Sequence, residues 1–141
     1  MPSSGEHGED ESERLRYMYS VYQEQYGIVS QRLEEALSVM QRLNAALQTL
    51  EGYSAIKGAN ALLPSGEGLL LKAKIDGSDS FVIDVGGGYL VESTMEAAKE
   101  VVSSRLEGVN AYMKKMHAER GNIEKALGEI GMRLGSQSGV E

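Results

Sequence analysis

At 141 residues, with 41% hydrophobic residues and a net charge of −7, the chain has one ordinary domain's length and no cysteine to staple it. The lack of cysteine excludes a disulfide framework and thiolate metal sites, and it favours a cytoplasmic setting over a secreted one. A basic stripe fit to neutralise phosphates, a long apolar run and a secretory leader are all missing, so neither nucleic acid nor a membrane is expected as a partner.

The acidic excess is concentrated at the start. Glu6, Glu9, Asp10, Glu11 and Glu13 precede the first basic residue, Arg14, leaving 16 acidic against 14 basic residues for the rest. Residues 1–12 are expected as a solvated, disordered acidic leader. Helix one is expected over 13–51, roughly 58 Å long, with Ser12 a candidate N-cap and Gly52 placed to end it. Its apolar residues Leu15, Tyr19, Tyr22, Tyr26, Val29, Leu33, Ala36, Met40, Leu43, Leu47 and Leu50 are spaced by four and three residues in strict alternation. That rhythm belongs to a helix wound around a partner helix. Tyr17 and Met18 stand off the seam, where they would offer adaptable contact area.

Residues 52–93 form a glycine-rich block with strand character. Ala59–Leu63 and Leu69–Ile75 flank Pro64, Ser65, Gly66, Glu67 and Gly68, which is dense in turn formers. Leu71, Ala73 and Ile75 alternate with Lys72 and Lys74, as on a strand with one apolar and one wet face. Phe81–Val85 and Tyr89–Glu92 flank Gly86, Gly87 and Gly88, a triplet able to supply positive φ for a tight hairpin. Two hairpins in series leave apolar faces and sheet edges that proteins usually cover or pair. The block is expected to be an assembly interface.

Helix two is expected over 94–134, opened by a capping box in which Ser93 and Glu96 each satisfy the other's backbone amide. Val102, Leu106, Val109, Met113, Met116, Ile123, Leu127, Ile130 and Leu134 repeat the alternation of spacings, with only Arg120 polar among them. The similar lengths imply an antiparallel pair that sets Leu15 beside Leu134, Tyr22 beside Leu127, Leu33 beside Met116 and Leu47 beside Val102. Arg120 then falls beside Val29, its guanidinium expected to reach solvent rather than Tyr26. Gly108, Gly121, Gly128 and Gly131 each cost about 1 kcal/mol relative to alanine, so the distal half should fray more easily. Residues 135–141 are expected as a flexible tail.

Catalytic clusters are not evident. His7 and His117 lack companions at metal-ligand spacing, and Asp76, Asp79 and Asp84 miss the calcium-loop pattern. The Gly86–Gly88 triplet lacks the Lys-Ser or Lys-Thr pair of a phosphate loop and precedes a strand rather than a helix, which ranks a small nucleotide-binding enzyme last among the readings. Neither a catalytic residue, a metal nor a cofactor is assigned.

The order helix, two hairpins, helix, with heptads in both helices, resembles the α-class of the prefoldin family as found in archaea. Leu63-Pro64-Ser65-Gly66-Glu67-Gly68 is similar to the family's Val-Pro-x-Gly-x-Gly turn. Val82-Ile83-Asp84-Val85-Gly86-Gly87-Gly88 running into Tyr89-Leu90-Val91-Glu92 is similar to its Val-x-Val-Asp-Ile-Gly-Ala-Gly turn ending in Val-Glu, and Ser93–Ala98 resembles the Lys-Thr-Leu-x-Glu-Ala start of its second helix. The resemblance implies an α+β fold in which a long antiparallel two-helix coiled coil is joined by two hairpins that assemble into an oligomeric β-barrel platform. It further implies an ATP-independent holding chaperone of two α-class and four β-class subunits, which binds unfolded clients at its coiled-coil tips and passes them to a group II chaperonin. The alternative is a prefoldin-like scaffold of another complex, without client holding.

On this reading Leu62, Leu63, Leu69, Leu71, Ile75, Phe81, Ile83, Val85 and Leu90 are the expected assembly residues. Client contacts are expected at the free end of the arm, from Leu15, Tyr17, Met18, Tyr19 and Tyr22 on helix one and Leu127, Ile130, Met132 and Leu134 on helix two.

Overall fold

The structure, a computed structural model, describes residues 4–138. Its elements in chain order are α1 (Ser4–Glu51), α2 (Tyr53–Ile56), β1 (Asn60–Pro64), β2 (Leu70–Lys74), β3 (Ser80–Gly86), β4 (Tyr89–Thr94) and α3 (Met95–Ser138). They divide into two compact units, one comprising the chain up to Val39 and from Val109 onward, the other Met40–Gly108.

In the first unit α1 and α3 form an antiparallel pair. Tyr26 donates its hydroxyl to Glu124 Oε1 at 3.3 Å, and Tyr19 lies against Gly131, so rising numbers on α1 meet falling numbers on α3. Val29, Leu33, Met116 and Ile123 are the buried core, with Tyr22, Tyr26, Met113 and Leu127 packed around it. All eight are seam residues, and the cluster agrees with the expected facing of Leu33 by Met116 and Tyr22 by Leu127. Arg120, half-buried, approaches His117 Nδ1 on its own helix to 3.4 Å through Nη2, and the hydroxyl of Tyr26 is engaged by Glu124 instead.

Both helices exceed their expected bounds. α1 already includes Ser4–Ser12, which were expected in a disordered leader, and Ser12 is a helical residue rather than a cap. The physical reason is that Glu9, Asp10 and Glu11 favour the positive end of the helix dipole, and Asp10 precedes Arg14 at the favourable i, i+4 spacing. α3 likewise continues through Gly135 to Ser138, four residues past the expected end at Leu134. The first three residues of the leader and the last three of the tail lie outside the described residues.

In the second unit, β1 and β2 pair antiparallel, Leu63 opposite Leu71 and Ala61 opposite Ala73. The turn holds Gly66, Glu67 and Gly68 all at positive φ and closes with Ser65 N–H donating to Leu69 O at 2.8 Å. β3 and β4 form a separate two-stranded sheet, Ile83 opposite Val91, with an irregularity between Asp84 and Gly86. Gly87 (φ 62°) and Gly88 (φ 81°) make its two-residue turn, the conformation that glycine adopts without a Cβ penalty. The expected capping box shifts by one residue. Ser93 stays in the ladder opposite Phe81, and Thr94 Oγ1 accepts from Ala97 N–H at 3.2 Å; with Ala97 in place of a glutamate, the reciprocal half of the box is lacking.

Candidate functional site

The nine expected assembly residues fall into two sets. Leu62, Leu63, Leu69, Leu71, Val85 and Leu90 are exposed, as are their neighbours Leu70, Val82, Tyr89 and Val91. Because side chains alternate across a strand, Leu63, Leu71, Ala61 and Ala73 form one apolar face of the first hairpin, and Leu62 and Leu70 share the other with Lys72, Lys74 and Asn60. Apart from the half-buried Ala61, every residue of β1 and β2 is exposed in the single chain. Exposed apolar surface of this kind makes the hairpin faces a candidate interaction site.

Ile75, Phe81 and Ile83 are instead half-buried within the chain. Phe81 and Ile83 line a groove with Ala46, Leu50, Ala98 and Val102, so their face is turned toward the helix ends. One polar link joins the hairpin to α3, and a second bond lies within the hairpin itself. Arg105 Nη2 donates to Asp84 O at 2.6 Å, and Asp84 Oδ1 accepts from Gly86 N–H at 2.8 Å, which engages an amide that a phosphate-binding loop would need to leave open.

Tyr53, on α2, was not anticipated. It is buried, its ring meets Phe81 edge-on at 4.8 Å between centroids, and its hydroxyl lies within hydrogen-bond reach of the Asp76 carbonyl at 2.7 Å and of the Ser78 carbonyl. Lys57 Nζ adds an exposed ion pair to Asp79 Oδ1 at 3.2 Å. Together they anchor the linker between the two hairpins to the segment that follows α1. A single tyrosine after a helix-ending glycine gives no periodic signal; only its place beside the apolar block could have raised it.

The expected client residues also separate. Tyr17 (70% exposed), Met132 (77%) and Met18 are open to solvent, whereas Tyr19, Tyr22, Leu127 and Leu134 are half-buried. Leu15 and Ile130 are only 5% and 6% exposed, enclosed in the helix pair. Among the described residues, no helix is long and apolar enough to cross a membrane.

Two helices wound together, joined by hairpins whose apolar faces are left bare, define a subunit of a larger assembly rather than a self-sufficient domain. A family model described as Prefoldin subunit matches residues 22–136. The chain belongs to the prefoldin family, a family of chaperone subunits. Among curated relatives, prefoldin subunit alpha of Pyrococcus horikoshii is 31% identical over 122 residues, covering 85% of this chain and 82% of its own length. Prefoldin subunit alpha of Methanococcoides burtonii is 27% identical over 133 residues, covering 94% and 96%. The fold is also that of a subunit in the cryo-EM structure of filamentous PFD from Methanocaldococcus jannaschii, with a TM-score of 0.67 at 16% identity over 88% of this chain and 98% of that one.

Proposed function

We propose that this chain is the α-class subunit of an ATP-independent holding chaperone, assembled through its hairpins with β-class subunits as two α and four β, and acting in the cytoplasm. Its hairpins complete a shared β platform, and the free ends of its helix pair hold unfolded chains for delivery to a group II chaperonin. The observation that carries the holding role is the exposure of Tyr17, Met18 and Met132 close to the ends of α1 and α3 that are remote in sequence from the hairpins. Such side chains recognise apolar segments without demanding a fixed shape. Each contact is partial and worth less than the roughly 1.5–3 kcal/mol of a fully buried leucine, so holding requires several arms at once.

Deleting residues 1–22 together with 127–141 should leave the assembly intact while abolishing suppression of aggregation of a denatured protein. A truncated complex that holds clients as well as the full one would move the contacts to the helix walls nearer the hairpins. The scaffold reading is favoured by one observation, the burial of Leu15 and Ile130. It expects no aggregation suppression from the full-length complex either, so the same assay separates the two.

A further inference from the structure

Gly121, Gly128, Gly131 and Gly135 all lie within α3, none in the left-handed region, so none is required by backbone conformation. Nor does packing require Gly121 or Gly128. A Cβ built at either meets nothing within 4 Å, and at Gly131 it would touch only the Tyr19 ring, at 3.9 Å, an ordinary contact. Alanine would fit at these sites and hold the helix better. What glycine supplies there is a lower free energy of opening.

The same stretch of α3 carries Ile123 and Ile130, which are buried, and Leu127, which is half-buried. Its counterpart on α1 carries Leu15, 5% exposed, and the half-buried Tyr19 and Tyr22. These apolar side chains are contact surface that the closed pair withholds. We propose that Gly121 and Gly128 are a built-in opening device, by which the distal half of α3 peels from α1 and presents Leu15, Tyr22, Leu127 and Ile130 to an unfolded chain. The proposal rests on the holding function and explains how residues enclosed at rest can take part in it. Local opening of a packed helix at small free-energy cost is an ordinary property of weakly propensive segments.

The test combines hydrogen exchange with aggregation suppression, both on the assembled full-length protein. Gly121→Ala with Gly128→Ala should slow amide exchange over residues 121–134 by about fivefold per substitution, roughly 25-fold together. It should also weaken aggregation suppression severalfold without altering assembly. Adding Lys125→Gly and Glu129→Gly at exposed positions of the same turns should reverse most of the change in both exchange and holding. Unchanged exchange in the double variant would overturn the device, as would slowed exchange with undiminished holding. Restored exchange without restored holding would also overturn it, because the glycines would then act by their shape. Loss of the holding function itself would appear separately, as a wild-type complex that fails to suppress aggregation, and the exchange arm would still decide whether the glycines set the opening.

Discussion

Tyr53 ties both the linker between the hairpins and β3 to the segment that follows α1. Its one hydroxyl proton is shared between the Asp76 and Ser78 carbonyls, and its ring supplies the edge-on partner for Phe81. Tyr53→Phe keeps the ring contact but leaves both carbonyls without this donor, and should lower stability by about 1–2 kcal/mol in denaturant unfolding. Tyr53→Ala removes the ring as well and should cost about 3–5 kcal/mol. A phenylalanine variant as destabilised as the alanine one would show that the hydroxyl, not the ring, holds the linker. Residue-level chemistry of this kind was the least legible in the sequence. Thr94 rather than Ser93 caps α3 because β4 runs two residues past the expected Glu92, and strand ends are set by the partner strand, which no local pattern reveals.

The elements themselves were legible because their signals are periodic. The four-three seam on each helix placed Val29, Leu33, Met116 and Ile123 together, and they form the buried core of their unit. The hairpins followed from glycines at the positions where positive φ is now seen, Gly66 and Gly68 in one turn and Gly87 and Gly88 in the other. The ends were not legible: acidic residues that argue for solvation equally favour a helix N-terminus, and in α1 the helix extends over them. The facing of Leu33 by Met116 has a direct check. Leu33→Cys with Met116→Cys should crosslink within one chain under mild oxidation, and faster than Leu33→Cys with Ile123→Cys, since a one-heptad offset separates the second pair along the axis by about 10 Å. Equal rates would mean that the pair slides in solution. The candidate site was half legible. Sequence marks which side chains are apolar, but Leu15 and Tyr17 differ only in which way they point, and burial of the first depends on how tightly the two helices close.

At the level of the whole molecule, the hairpins dominate. Leu71, half exposed on a face shared with Leu63, is a probe of assembly because half of its side chain is left open on a hairpin face. Leu71→Asp should dissociate the complex while leaving the helical circular dichroism of the subunit unchanged, the loss being roughly 1 kcal/mol of apolar burial per copy, since half the side chain is already covered, with carboxylate desolvation added. Sedimentation that still shows the full assembly would remove the hairpin face from the interface. Ile83→Asp is a poorer test, since Ile83 lines the groove on the subunit's own helix ends and the subunit would be damaged first. The bare hairpins also bear on how the cell must handle this chain. A copy released from the ribosome without partners displays Leu62, Leu63, Leu69, Leu70 and Leu90 to the solvent, the same apolar character by which an unfolded protein is known. Until it is incorporated, the subunit is itself a candidate for capture or degradation, so its stable level should follow the supply of its partners and not its own rate of synthesis.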